Sequence, residues 1–232
     1  MLAILKSIRV QIALMVCLMS LSAMTSAEPW STNLKQALAK KNTGSIYSYQ
    51  LAFKSNALAG TVIVDPTKAD GQRTSIISPA ASARSVEFNE FAKELEDDAK
   101  QSILCSRFAE NMPASVTFVS KTAETETYAF TPIPSADMDT LEKKVIASLL
   151  GEITISSVNP AVLHFSMRST KPIKPMFLVR LDTFRMSVKC VRSPDGQTYS
   201  QQQLSETTGS ALGQSLDDKE EITISNLVSK PR

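Results

Sequence analysis

Apolar and polar residues alternate in short segments along most of this 232-residue chain. The clearest segment alternates Phe184, Met186, Val188 and Cys190 with Arg185, Ser187 and Lys189. A period of two residues places one set of side chains on each face of a β-strand. Because one face of each such strand is polar, we expect a sheet that is covered on one side only.

Similar segments predict the other strands, and Pro, Gly, Asn and Asp between them predict turns. We expect strands at 47–53, 58–64, 74–77, 116–120, 125–131, 153–155, 163–167, 184–190, 197–204 and 222–224. The segment 177–181 is either a further strand or a connection. Successive strands that are joined by short turns pair antiparallel, so a meander is the expected topology.

Apolar residues that recur at intervals of three and four predict a short N-terminal helix within 30–41 and two helices inserted between strands. In the second inserted helix, Ser135 is the expected N-cap, Leu149 lies on the apolar side and Gly151 is the stop signal.

The first inserted helix is predicted to begin after the N-cap Ser85 and to extend to about Cys105. It contains an acidic run, Glu94, Glu96, Asp97 and Asp98. They form either a cation site or a solvated helix face. We favour the solvated face, because a helix splays such side chains outward and a bound ion needs convergent ligands.

These patterns predict an α+β fold with a mostly antiparallel curved sheet or incomplete β-barrel of about nine to eleven strands. Helices are expected to pack over one face, because their apolar stripes have no other surface to cover. We find no internal repeat and no interdomain linker, so residues 28–232 are expected to form a single β-rich domain with inserted helices.

The first 27 residues have the layout of a secretory signal peptide. Lys6 and Arg9 precede an apolar run at 12–19, and small residues lead to Ala27. The alternative, a transmembrane anchor, needs about 20 apolar residues, and polar residues follow this run too soon. We therefore expect cleavage after Ala27, no transmembrane span afterwards, and a periplasmic or secreted protein, most simply in a Gram-negative envelope.

The formal net charge of +2 comes entirely from that segment, because Lys6 and Arg9 are its only charged residues. The remaining 205 residues carry 23 basic and 23 acidic side chains. Such a balance argues against nucleic-acid binding. Acidic residues dominate 87–142 and basic residues dominate 168–192. The basic segment is either an ordinary wet sheet face or a surface for anionic headgroups or an acidic partner.

Two cysteines remain after signal cleavage, Cys105 and Cys190. In an oxidising compartment they are expected to form one disulfide that joins the end of the first inserted helix to the core side of a strand. The alternative is a pair of buried free thiols.

Patterns for common catalytic chemistry are missing from the sequence. It contains no Gly-x-Ser-x-Gly, phosphate-binding Gly-rich loop, Cys-x-x-Cys or His-Glu-x-x-His. The single histidine, His164, is expected at the surface or a sheet edge rather than in a metal site. A carboxylate pair could still form a glycosidase site, although one Trp and four Tyr offer little for sugar stacking. We expect no enzyme activity, no cofactor and no metal.

The order of elements resembles a known family. A short helix leads into Tyr-Ser-Tyr-Gln-Leu-Ala-Phe at 47–53 and then Gly-Thr-Val-Ile-Val-Asp-Pro at 60–66. Later, Tyr-Ala-Phe-Thr-Pro at 128–132 precedes a helix, Gly151 and paired strands. This layout is similar to the superfamily of outer-membrane lipoprotein-sorting and periplasmic lipoprotein carrier proteins. The resemblance implies an incomplete antiparallel β-barrel, with helices as a lid over an apolar cavity that holds acyl chains.

Two functions are consistent with the sequence. The first is a non-enzymatic periplasmic carrier for a lipid or lipoprotein acyl group, with an apolar cavity walled by Phe118, Phe130, Phe165, Met167, Phe184 and Met186. The second is an envelope structural or protein-interaction module, in which the same six residues are part of a filled core and no ligand is bound.

Overall fold

The structure is a computed structural model that describes residues 27–39, 45–99, 103–134 and 138–231. The predicted signal peptide therefore lies outside the described residues, except for Ala27. Within these ranges, no helix is long and apolar enough to cross a membrane.

The described residues form one antiparallel sheet of twelve strands. The strands are β1 (Glu28–Pro29), β2 (Ser45–Ser55), β3 (Ala59–Val64), β4 (Thr74–Ser78), β5 (Ser115–Lys121), β6 (Thr125–Phe130), β7 (Leu149–Ser156), β8 (Val162–Ser169), β9 (Ile173–Met176), β10 (Val179–Arg192), β11 (Thr198–Ala211) and β12 (Gln214–Pro231). Their order is β1-β5-β6-β7-β8-β10-β11-β12-β2-β3-β4, and β9 pairs with β10 beside this path. The sheet is open. Its antiparallel pairings, together with the helices described below, confirm the α+β, mostly antiparallel fold.

The predicted count of nine to eleven strands was too low. β1 has two residues and β9 has four, which is too short for an alternating pattern to be recognised. The ambiguous segment 177–181 contains both alternatives, because Phe177 and Leu178 form a turn and β10 begins at Val179.

Three α-helices are described: α1 (Thr32–Leu38), α2 (Val86–Asp98) and α3 (Thr140–Ile146). Two 3-10 helices lie at Ala81–Ala83 and Cys105–Asn111. The predicted cap Ser85 is confirmed, since its hydroxyl accepts a hydrogen bond from the Phe88 amide. The helix does not extend to Cys105 as predicted. It ends at Asp98, and Cys105 begins a separate 3-10 helix.

The second inserted helix is also shorter than predicted. Its N-cap is Asp139, which forms a capping box with Glu142, while Ser135 lies outside the described residues. Leu149 and Gly151 belong to β7 instead of the helix. The ring of Phe130 fills the space in which a side chain at position 151 would lie, so glycine is required there for packing against β6.

One row of directly paired residues crosses nine strands and defines a face of the sheet. From β5 to β3, the row consists of Phe118, Tyr128, Ile153, Phe165, Val188, Gln203, Ile222, Phe53 and Gly60. Residues directly opposite each other in antiparallel strands lie on the same face. We call this face the packed face, because the helices described next cover it.

Two hydrophobic clusters lie on the packed face, one on each side of polar Gln203. In the first cluster, Leu34 of α1 and Phe108 of the second 3-10 helix join Phe165 and Val188, and the Phe108 and Phe165 rings stack 4.0 Å apart. In the second, helix α2 covers β2 and β3, and the rings of Phe91 and Phe53 are 4.3 Å apart.

Glu96 of α2 does not lie on a solvated face as predicted. Its carboxylate accepts hydrogen bonds from the backbone amides of Gly71, Arg73 and Thr74 at 2.8, 3.1 and 2.7 Å. Burial alone would raise the pKa of Glu96, but these bonds and the Thr74 hydroxyl lower it. This carboxylate therefore anchors α2 to the turn before β4.

Helix α1 is attached to β6 by polar contacts. Ser31, its N-cap, shares a 2.8 Å hydrogen bond with the Tyr128 hydroxyl, and the Asn33 amide donates to Glu126 at 3.1 Å. Lys121 and Tyr128 also donate to the buried Glu126 carboxylate and lower its pKa. This network fixes the helix over the first cluster.

The predicted disulfide between Cys105 and Cys190 is present, and both residues are buried in the first cluster. It joins the start of the second 3-10 helix to β10 on the packed face. The disulfide therefore joins a helix to the core side of the sheet as predicted, although the helix is this 3-10 helix and not the first inserted helix.

We expect the double substitution Cys105→Ala, Cys190→Ala to lower the free energy of unfolding by about 4 kcal/mol, because the cross-link spans 85 residues. Urea unfolding followed by circular dichroism measures the change. As a chemical control, alkylation of the denatured protein without residues 1–27, and so without Cys17, should add no mass in the absence of reductant, and two added alkyl groups would contradict the disulfide.

An ion pair joins the end of β3 to the end of β12. Lys230 donates a hydrogen bond to the buried Asp65 carboxylate, and Thr67 donates to the same group. The Lys230 bond, followed by those from Thr67, lowers the pKa of Asp65 to about 2.

Asp65 should therefore stabilise the fold above the pKa of the unfolded aspartate, near 4, and lose this contribution as the pH falls towards about 2. We expect Asp65→Asn to cost about 2 kcal/mol at pH 7 and to flatten the decline of stability between pH 5 and pH 2. Urea titrations across this range test the effect. Asp217→Asn, at an exposed position, is the matched control, and an equal pH profile for both variants would contradict the assignment.

Candidate functional site

A groove of about 460 Å³ lies where β10, β11, β12 and β2 run side by side. Most of the side chains that line it occupy two cross-strand rows. The first row is Arg185, Glu206 and Lys219, and the second is Ser187, Leu204, Glu221 and Lys54. Each residue in these rows is one position away from a residue of the packed face, so the groove is on the opposite face of the sheet. We call this the open face.

The acidic side chains of the groove already have polar partners. Lys219 Nζ lies 3.3 Å from Glu206 Oε1, and the Gln202 amide donates to Glu221 Oε1 at 2.8 Å. Glu206 therefore has a cation beside it, whereas Glu221 accepts a hydrogen bond from a neutral amide.

Two other cations of the groove, Lys54 and Arg185, are exposed, and they differ from Lys219 in their lack of an ion-pair partner. Within the part of the chain that the structure describes, neither Lys54 nor Arg185 is within ion-pair distance of a carboxylate. They lie on β2 and β10, strands that are three spacings or about 14 Å apart, and in adjacent cross-strand rows. Between them, Leu204 is 44% exposed and gives the groove an apolar centre.

Arg185 faces a second arginine across the strand pair. Its directly opposite residue on β8 is Arg168, which forms a 3.6 Å ion pair with Glu152. Like charges in directly opposite positions repel each other. On the other side of Arg185, the directly opposite residue of β11 is Glu206, so Arg185 lies between a cation and an anion.

His164 lies on the same face, on β8, and is half-buried between β7 and β10 rather than at a sheet edge. Its Nε2 is 2.8 Å from the Ser187 hydroxyl. Burial lowers the pKa of His164, although the negative charge of Glu152 opposes the shift. The imidazole is therefore neutral at pH 7, and its hydrogen bond with Ser187 joins β8 to β10. Among the described residues, no group of three His, Cys, Asp or Glu side chains is arranged to hold a metal ion.

The structure brings together four of the six residues predicted to wall an apolar cavity. Phe130 and Phe165 are buried in the first cluster, and Met167 and Met186 pack against it while partly buried. Phe184 is half-buried further along β10. Phe118 is 40% exposed at the end of the cross-sheet row, where its ring meets Tyr128 edge-on at 5.8 Å.

The groove residues were not predicted from the sequence. The available signal was the alternation of charged residues with apolar ones in β10, together with the polar composition of 197–204. This signal identifies a solvent-exposed face of a strand, but it does not show which strands are neighbours in the sheet. Only the pairing of β12 with β2, which are far apart in the chain, brings Lys54 beside Glu221.

Comparison of the chain with models of protein families, with curated protein sequences and with solved structures found no match.

Proposed function

We propose that this chain is a non-enzymatic, exported envelope protein that binds an extended segment of a protein partner in the groove of its open face. The observation that carries the proposal is the groove itself, with Arg185 and Lys54, which form no ion pair among the described residues, on either side of exposed Leu204. A partner segment with carboxylates and an intervening apolar side chain complements this arrangement.

The packing between helices and sheet supports an interaction module over a carrier. The stacked rings of Phe108 and Phe165, the ring pair of Phe53 and Phe91, and the buried disulfide occupy the space in which a ligand cavity was expected. Every residue that lines the groove except Leu204 is charged or polar, although carbon atoms form more of its surface than polar atoms do. A polypeptide can pair with these charges and also contact the apolar surface.

We expect the wild type to bind a fluorescein-labelled ten-residue peptide of alternating Glu and Leu more tightly than its Lys-Leu counterpart. Arg185→Glu should weaken binding of the Glu-Leu peptide roughly fivefold, because a surface charge pair contributes about 1 kcal/mol. Fluorescence anisotropy at low and high salt measures the affinities, and high salt should reduce the difference.

Lys189→Glu is the matched control for this experiment. Lys189 is exposed on the same strand and the same face as Arg185 but does not line the groove. Equal losses in the two variants would indicate a general charge effect and contradict groove binding, as would equal affinity for the two peptides.

The lipid or lipoprotein carrier is a second candidate, and a specific patch favours it. Met167 and Met186 are directly opposite each other on β8 and β10, are only partly buried, and continue towards half-buried Phe184. Flexible methionines suit a variable acyl chain. In this candidate the incomplete-barrel geometry that the family resemblance implies would hold the chain over these residues.

For the carrier we expect native mass spectrometry of periplasmically expressed protein to detect a co-purifying acyl ligand, or palmitate after its addition. Met186→Lys should abolish this binding, since it places a charge in the apolar patch. Leu204→Lys, on the open face, should leave it unchanged. Absence of both co-purified and added ligand would reject the carrier and leave the interaction module.

A further inference from the structure

Two turns lie side by side at one end of the sheet and expose large apolar side chains. The first turn, at Phe177 and Leu178, joins β9 to β10, and the second, at Leu212 and Gly213, joins β11 to β12. They are held together by a 2.9 Å hydrogen bond from the Leu212 amide to the Leu178 carbonyl. We call residues 176–178 and 212–213 the double-turn tip.

Exposure of the tip is unusually high for apolar residues. Phe177 is 99% exposed, Leu212 74%, Leu178 53% and Met176 51%. A single exposed apolar side chain needs no explanation, but a group of four large ones on neighbouring turns indicates a surface that contacts something else.

The tip extends beyond the strands on either side. Pairing of β10 with β8 begins only at Arg185, and pairing of β12 with β2 begins only at Glu220. Six residues of β10 and of β12 therefore continue past these neighbours, a length of about 20 Å. The tip therefore projects past β8 and β2, and on the β8 side its strand β10 is flanked by β9, which contacts α3.

Basic side chains flank the tip on its β9 side. Lys171 and Lys174 are exposed there, while Arg180 pairs with Asp182 at 2.6 Å, behind the tip. In the other hairpin, residues 207–216 contain no charged residue, and Asp217 and Asp218 follow farther from the tip. An apolar projection with exposed lysines beside it matches the interface of an anionic bilayer, where apolar side chains enter the acyl boundary and cations meet the headgroups.

We propose that the double-turn tip docks this protein on an anionic lipid surface, with Phe177 and Leu212 inserted into the interface. A membrane fits better than a protein pocket, because four apolar side chains on two turns form a convex group, and a fluid surface adapts to it. This proposal does not rest on binding of a peptide in the groove, which lies on residues outside the tip.

Co-sedimentation with sucrose-loaded vesicles tests the docking. The protein is expressed in the periplasm, and its N-terminus is read by mass spectrometry so that all variants are compared at the same length. We expect binding to vesicles of phosphatidylethanolamine and phosphatidylglycerol at 3:1, weaker binding to phosphatidylcholine vesicles, and release from the anionic vesicles at high salt.

The double substitution Phe177→Ser, Leu212→Ser should lower the partition coefficient on anionic vesicles at least tenfold, and Lys171→Glu, Lys174→Glu should remove the preference for anionic lipid. Val158→Ser, at a 79% exposed position in the turn between β7 and β8, is the matched control and should bind as the wild type does. Urea midpoints of all variants check that each remains folded, which their exposure favours.

Failure of the wild type to bind anionic vesicles would overturn the proposal. So would binding that the Phe177→Ser, Leu212→Ser protein retains, since the tip would then not be the contact. The peptide assay on the same variants separates this result from the proposed function, because the tip substitutions should leave peptide affinity unchanged.

Discussion

Antiparallel register determines which face of the sheet each side chain occupies, and the rest of the structure depends on this constraint. A single row from Phe118 to Gly60 holds the packed face in alignment across nine strands. A shift of one residue in any strand would move its apolar side chains to the open face. The same register brings Lys54, Glu221, Leu204 and Ser187 together on the other side, so the core and the groove are specified by one set of pairings.

The fold places acidic and basic segments of the chain on different faces of the sheet. Acidic helix α2 packs on the packed face over β3, while Arg185 and Lys189 of the basic segment lie on the open face. Helix α2 and these two cations therefore lie on opposite faces of the sheet. With zero net charge after the expected signal cleavage, attraction of a partner depends on which face it approaches.

Much of the architecture could be predicted because the alternating pattern is local. The strand positions, the caps at Ser85, the disulfide and the antiparallel topology follow from short-range patterns or from a count of cysteines. The end of α2 and the place of Leu149 could not be predicted, because tertiary pairing determines them: Leu149 continues an apolar stripe but pairs with Ser169 in the sheet. The groove and the double-turn tip depend on contacts between distant segments, and no periodicity encodes these.

Gln203 separates two hydrophobic clusters, and the disulfide restrains the unfolded chain around only one of them. The polar residue interrupts the packed face between two clusters. The cross-linked loop from Cys105 to Cys190 encloses the second 3-10 helix and β5 to β10, which supply the first cluster apart from α1. Only that half has its unfolded ensemble restricted by the bond. The half built from α2 and β2 to β4 lacks this restraint, so we expect local opening to begin on that side.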